Sequence, residues 1–370
     1  MHKITYFPVG NADTCLITLE NGKNILIDFY AVKRDEEDKE DLRADVPKLL
    51  KEILKEAKKD YIDIVAFTHL DEDHYKGFSD FFYLEHAKKY QEGERIKINE
   101  LWVPAAGIID TDLPEEAKIL RSEARYRLAN TKNLKVFSMP DPLQDWLKEN
   151  DIDYESVKNI IIHAGGTVVS LNKENDGVEF FTHAPFSDSI DGVSIDRNNA
   201  ALTFQATFFV SEVNTKLMIG SDTEWDTWVD IVKITKHYKR LDKLEWDIFD
   251  ISHHSSHTGL AANKEDIPKA ISEEINELFE MGEEGAKLIS QSNIKQDKDA
   301  KDAPYIGAVE YYEAIAENIK GEYKITMEYP KPERPKPLVI LIGKDKATIE
   351  KINTNPIDNI TLRPAPIAGA

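Results

Sequence analysis

An apolar run at 61–67 is followed at once by Thr68-His69-Leu70-Asp71-Glu72-Asp73-His74-Tyr75-Lys76-Gly77. The run reads as a buried strand. Two histidines and two aspartates then arrive within six positions. Ionisable groups packed so densely are costly to bury unless something cationic binds them. The stretch therefore reads as a metal-binding loop at the C-terminal end of a core strand. Its plain alternative is a charged surface loop with incidental histidines.

The surrounding pattern says what could hold such a loop. Residues 3–9 are strand-like, and Asn21-Gly22 between apolar runs at 14–19 and 24–28 is a hairpin signal. Leu50, Ile53, Leu54 and Ala57 lie at helical spacing, with Pro47 suited to a first turn. This helix at 47–58 implies a crossover into the strand at 61–67 and a mixed sheet. Further helices are expected at 78–90, 113–129, 142–148, 224–239, 264–281 and 309–319. Further strands are expected at 96–103, 159–163, 167–171, 178–182, 200–210, 216–220, 246–251, 287–290, 323–328, 338–342 and 346–352. Residues 31–43 and 292–302 are dense in polar and charged groups and read as loops. Two runs of mainly antiparallel strands, each followed by helices, predict an α+β protein of two face-to-face sheets with helices outside, an αββα sandwich. Residues 1–320 would form that unit. Residues 321–370 would add a β-rich C-terminal extension packed on the core, with a flexible tail.

Composition bounds the function. The net charge over 370 residues is −21. Such a chain would repel nucleic acid or an anionic membrane at long range unless local basic patches or bound cations overcome it. No long uncharged apolar run and no N-terminal signal segment is seen, so no membrane partner is expected. Cys15 is the single cysteine, which leaves no intrachain disulfide and makes the cytoplasm the expected compartment.

Chemistry gathers at three places. In the opening loop, His69 with Asp71 can serve one metal, and Asp73 with His74 a second. Gly220-Ser221-Asp222 follows a strand, where one aspartate can bridge two cations or simply cap the next helix. Ser252-His253-His254-Ser255-Ser256-His257 follows another strand. Adjacent histidines there suit a ligand beside a proton-transfer group, with surface histidines as the alternative.

Taken together, Val9-Gly10-Asn11-Ala12-Asp13, the strand before Asp28, His69-x-Asp71-x-Asp73-His74, Asn198-Asn199-Ala200-Ala201-Leu202, Gly220-Ser221-Asp222 and Ser252-His253-His254-Ser255-Ser256 resemble a metallo-β-lactamase-fold hydrolase. Within that superfamily the chain is most similar to the hydrolase domain of the ComEC competence proteins and its stand-alone relatives, from residue 1 to about 290. The resemblance implies one or two divalent ions held by His69, Asp71, Asp73, His74, Asp222 and one of His253 and His254, with Asp28 bracing the loop. The superfamily often adds a histidine at the first metal. His183 and His163 are the candidates, each with a merely structural alternative, and His183 stands after a short strand at about the right place. Three departures are evident. Asp71 stands where histidine is commoner, so manganese competes with zinc. Ser255 and Ala12 stand where the family has glycine. The membrane channel is absent, so DNA uptake does not carry over.

The expected activity is phosphodiester hydrolysis by metal-activated water, as a nuclease or nucleotide phosphodiesterase. Asp73 would accept a proton, and His254 (or its neighbour His253) or His257 would return one. Hydrolysis of carboxylic esters, lactones or thioesters on the same fold is the second class. A regulatory module with a vestigial site is the third. The acidic surface points to short or already-bound nucleic acid or nucleotide substrates, or to delivery by a protein partner in a multi-component system.

Overall fold

The computed structural model describes residues 1–31, 41–187, 200–295 and 302–352. Chain order gives β1 (His2–Tyr6), β2 (Cys15–Thr18), β3 (Asn24–Ile27), β4 (Tyr61–Ala66), β5 (Phe82–Tyr83), β6 (Ile96–Pro104), β7 (Leu134–Phe137) and β8 (Ile161–Ile162). Then come β9 (Val178–Ala184), β10 (Thr203–Val210), β11 (Val213–Ile219), β12 (Trp246–Asp250), β13 (Gly282–Ser290) and β14 (Glu322–Ile325), followed by β15 (Leu338–Gly343) and β16 (Lys346–Ile349).

The first sheet runs β16-β15-β1-β2-β3-β4-β6-β7-β8, with β5 beside β6, and the second runs β14-β13-β12-β11-β10-β9. The hairpin at Asn21-Gly22 forms as expected, with Leu19 N–H donating to Lys23 O at 2.8 Å and Gly22 at φ +85°. β3 shows how the layers arise from strand alternation. Ile25 and Ile27 join the core between the sheets, while Leu26 joins the core under the outer helices. The helix Val46–Glu56 covers that outer face through Val46, Leu50, Ile53 and Leu54, and the Asp45 side chain caps it by accepting from Lys48 N–H. Between the sheets, Trp102, Phe137, Phe180 and Phe204 meet, with Trp102 edge-on to Phe180 at 5.5 Å. On the far side, the helices Trp225–His237 and Glu273–Glu280 pack Trp228, Ile275 and Phe279 over Trp246 and Phe249. These four layers are the αββα sandwich.

The first sheet is mixed and β3–β4 is parallel, as the crossover helix implied, but parallel pairing extends well beyond the expected mainly antiparallel runs. The pairs β3–β4, β4–β6, β6–β7 and β7–β8 are parallel, as are β11–β12, β12–β13 and β13–β14. Helices between the strands supply the crossovers that parallel pairing needs. Two further differences have local causes. The helix expected at 78–90 stops at Phe81. Phe82 and Tyr83 turn into β5 instead, paired with Ile96 and Lys97, and the Phe82 carbonyl accepts from Arg95 at 3.1 Å. The helix expected at 264–281 is a short turn, Lys264–Asp266, and a separate helix capped by Ser272. β7 has no counterpart in the sequence reading, and 167–171 makes a lone bridge, Thr167 to Phe181.

The segment after 320 supplies strands to both sheets: β14 extends the second, and β15 pairs with β1 from His2↔Ile342 to Tyr6↔Leu338. The tail after 352, Asn198-Asn199 and most of the charged stretch at 31–43 lie outside the described residues. Among the described residues no helix is long and apolar enough to cross a membrane.

Candidate metal centre

The parallel strands aim one set of ends at a common place. Asp28 ends β3, Thr68–His74 leaves β4, Ser221-Asp222 leaves β11, His253-His254 leaves β12 and Gln291 leaves β13. Loops at the carboxyl ends of parallel strands are where α/β proteins build sites. Gly220 lets the ends of β11 and β12 approach. A Cβ there would stand 2.4 Å from Ser252 Oγ and 2.7 Å from the Asp250 carbonyl.

Asp222 sits between two groups of donors. Its Oδ2 lies 3.6 Å from His69 Nε2 and 3.6 Å from His253 Nε2, and His69 Nε2 is also 3.9 Å from Asp71 Oδ2. Its Oδ1 lies 3.5 Å from His74 Nε2 and 3.9 Å from His254 Nε2. Asp73 Oδ2 closes that second group, 3.6 Å from His74 Nε2 and 2.9 Å from His254 Nε2. The donor atoms of Asp73, His74, Asp222 and His254 all fall within 4.8 Å of one another.

The far side of each ring is occupied by the protein, which turns Nε2 inward. His74 Nδ1 donates to Asp28 Oδ2 at 2.8 Å, His254 Nδ1 to the Gln291 carbonyl at 2.8 Å, and His253 Nδ1 meets Thr258 Oγ1 at 2.8 Å. Asp28 also accepts from Thr68 N–H at 2.7 Å and Thr68 Oγ1 at 2.6 Å, and Ser221 Oγ donates to Thr68 Oγ1 at 2.6 Å. That chain of hydroxyls ties the first sheet to the second directly beneath the donors.

The electrostatics are those of groups waiting for positive charge. Burial opposes ionisation of Asp222, yet His74 and His254, with the His69 ring close by, hold it well below the carboxylate range. Asp73 behaves likewise, lowered by His74 and by its bond to His254. Burial works against charge on His74 as well, but Asp28, Asp73 and Asp222 raise its pKa well above the ordinary value. Asp222, Asp13 and Asp73 do the same for His254.

A metal fits this constellation. Among the described residues, His69 Nε2, His74 Nε2 and Asp222 Oδ1 are buried without a hydrogen-bond partner, and all three face the shared space. Buried polar atoms are rarely left so. Imidazole and carboxylate together suit a borderline or hard divalent ion.

Two expected residues stand elsewhere. His183, weighed as a ligand, puts its Nε2 2.9 Å from the Lys243 carbonyl and lies edge-on to Phe181 at 5.0 Å. Burial lowers its pKa to about 4. It lines a separate cavity of about 360 Å³ with Phe181, Phe186, Ile231 and Arg240. The reason is alternation along β9: the ring takes the face toward the helix Trp225–His237, away from the sheet ends. His253, brought inward by a left-handed turn, stands beside Asp222. His257 lies on the next turn, edge-on to Tyr305 at 6.1 Å, and burial and Lys264 lower its pKa. His163 is exposed.

Sequence reasoning missed Gln291. Besides its carbonyl on His254, its Oε1 accepts from Thr14 N–H at 3.0 Å and its Nε2 donates to Asp250 at 3.1 Å. A polar residue directly after an apolar strand that ends beside two ligand loops was the available signal. Asp13, quoted only as part of a motif, lies 3.4 Å from His254 Nδ1 and 3.8 Å from His74 Nδ1.

No protein-family model matches the chain, and no curated protein does. Solved structures similar to it include Igni18, a metallo hydrolase from the hyperthermophilic archaeon Ignicoccus hospitalis (10% identity, 92% of this chain and 98% of that one, TM-score 0.36). Unliganded yeast PDE1 is another (12% identity, 88% and 96%, TM-score 0.43). The metallo-beta-lactamase GOB-18 from Elizabethkingia meningoseptica is a third (14% identity, 74% and 88%, TM-score 0.31).

Proposed function

We propose that this chain is a metal-dependent hydrolase of phosphodiesters, a nuclease or nucleotide phosphodiesterase akin to the ComEC-type hydrolases it resembles. The observation that carries the reading is the position of Asp222, whose two oxygens face two different groups of donors. His69, Asp71, His253 and Asp222 Oδ2 would hold one ion. Asp73, His74, His254 and Asp222 Oδ1 would hold the other. When bound, divalent cations supply Lewis acidity and lower the pKa of water. A pair sharing one carboxylate suits in-line displacement at phosphorus, where charge builds on both the entering and the leaving oxygen. Asp71 gives the first group an oxygen donor, which brings manganese into competition with zinc. The cations would also offset the chain's acidity toward a nucleic acid or nucleotide, and a protein partner would help deliver it.

The residues divide the remaining work. Asp73 keeps 31% of its side chain exposed while Asp222 keeps 4%, so Asp73 is the carboxylate placed to take a proton at the solvent side. His254 can pass that proton on only while its Nε2 carries a proton rather than a cation. A singly loaded site would therefore use His254 as the acid, and a doubly loaded site would not. His257, with its lowered pKa, is less often protonated at neutral pH and so is less available as the acid.

The test is purification without chelator, metal analysis, and assay with zinc and with manganese on plasmid, single-stranded DNA, bis-p-nitrophenyl phosphate and a lactone. Metal-dependent cleavage of the phosphodiesters is expected. Turnover of the lactone alone would move the assignment to the ester and lactone class. Metal binding with no turnover on any of them would leave a binding module.

A further inference from the structure

We propose that Tyr323, reaching in from the C-terminal strand β14, is a positioning residue for the histidine pair and acts through Ser255. The inference rests on the reading that His253 and His254 hold metal.

His253, His254 and Ser255 follow one another at φ +51°, +53° and +61°. L residues avoid this left-handed region because Cβ crowds the following carbonyl, and it is normally left to glycine. Three such residues in a row persist only where the surroundings over-determine them. This turn is what aims both imidazoles at Asp222 from a single loop.

Two of the three are held by bonds already described, His253 through Thr258 and His254 through Gln291. Ser255 stands where the resembling family has glycine, and it is fully buried. Its hydroxyl is clamped on two sides, by Ser290 Oγ at 2.7 Å and Tyr323 OH at 3.1 Å. Donor accounting fixes the directions. Ser290 Oγ donates to Ser292 Oγ at 2.8 Å, and Ser255 donates to Ser290. The hydrogen of Ser255 is thus spent, and Tyr323 must be the donor to it. Burial raises the Tyr323 hydroxyl above its ordinary value, so it keeps that hydrogen at working pH. Its ring is fixed by near-parallel stacking on Tyr312 at 6.2 Å and by the register Leu288↔Tyr323 between β13 and β14. The Ser255 carbonyl is held as well, by Tyr305 N–H at 3.0 Å. The C-terminal segment thereby reaches the metal centre: its tyrosine holds a serine in the conformation a glycine would adopt unaided.

Glycine supplies the test. The full chain is compared as wild type, Tyr323→Phe, Ser255→Gly, Ser255→Ala and the double variant Ser255→Gly/Tyr323→Phe. Affinity for manganese and for zinc is read by competition with a chromogenic chelator, and urea midpoints are read after chelation. Tyr323→Phe is expected to weaken metal binding about tenfold, in the range found when a group supporting a ligand is removed. Ser255→Gly is expected to keep affinity within about twofold of wild type, because glycine adopts the turn without a clamp. In that background Tyr323→Phe should cost no further affinity, while Ser255→Ala should lose at least as much as Tyr323→Phe alone. An equal loss from Tyr323→Phe in both backgrounds, or none in wild type, would overturn the proposal. If Tyr323→Phe does not fold, the serine variants decide: affinity kept by glycine and lost by alanine supports the clamp, and equal impairment rejects it. Wild type that binds neither cation would sink the metal reading itself, a result distinct from any pattern among the variants.

Discussion

Asp28 Oδ2 stands 2.8 Å from His74 Nδ1, on the floor of the donor cluster. The same carboxylate accepts from the N–H and hydroxyl of Thr68, so one residue fixes both a ring and the loop that carries it. Asp28 has φ +56°, a conformation asparagine also tolerates. Asp28→Asn should therefore keep the backbone while removing the charge and one acceptor. Metal affinity is expected to fall about 10- to 100-fold, as for other groups that orient a metal-binding histidine. Competition with a chelator measures it, and an unchanged affinity would remove Asp28 from the site.

Asp222 is predicted to matter to every bound ion, because each of its oxygens faces a different group. Asp222→Ala should cut affinity for divalent cations by at least about a hundredfold and abolish phosphodiester cleavage. His183→Ala should leave the metal content of the purified protein unchanged, since its ring bonds to the Lys243 carbonyl instead. Metal analysis of the two variants side by side checks both statements. Loss of metal in His183→Ala would return that histidine to the site.

The pKa values of His74 and His254 give metal binding a direction in pH. Both are raised above 6.5 by facing carboxylates, although burial opposes the charge. After chelation, their protonated forms stabilise the fold fully below 6.5, and that contribution is lost as pH rises through the raised values. A cation must displace those protons, so its affinity rises with pH. Two protons displaced would give up to about a hundredfold per pH unit. Calorimetric titration with manganese in buffers of different ionisation enthalpy counts the protons released. A pH-independent affinity would contradict the assignment of both rings as ligands.

Much of this arrangement was legible in the chain. Thr68–His74 announced itself because four ligand types crowd behind an apolar strand, and Asn21-Gly22 because a tight hairpin demands that chemistry. The layers followed from alternation and helical spacing. What stayed hidden was set by tertiary bonds. Phe82 and Tyr83 pair with Ile96 and Lys97 and so leave a helix that spacing alone would continue. The facing of His183 follows from strand phase, and a strand-end histidine looks the same in sequence whichever face it takes. Gln291 acts partly through its carbonyl, an atom every residue has, so side-chain chemistry could not single it out. The extent of parallel pairing beyond the first crossover was obscured because β7 and β8 are short and lie between helices.

Glu123 makes a prediction away from the metal. It is fully buried on the helix Glu115–Ala129, accepts from Arg127 Nε at 2.8 Å and meets His86 Nδ1 at 2.9 Å. Burial opposes its charge, but the bond to His86 and the Arg127 guanidinium outweigh that and bring its pKa from 4.5 to about 2. Its stabilisation is present above pH 4.5 and is lost as pH falls through about 2. At 1.36 kcal/mol per pKa unit, that lowering corresponds to about 3 kcal/mol at neutral pH. Glu123→Gln should thus lower unfolding free energy by about 3 kcal/mol at pH 7 and by roughly half as much at pH 3. Urea titrations of both proteins at the two pH values test this, and an equal cost at both would mean that the carboxylate is not held ionised by its partners.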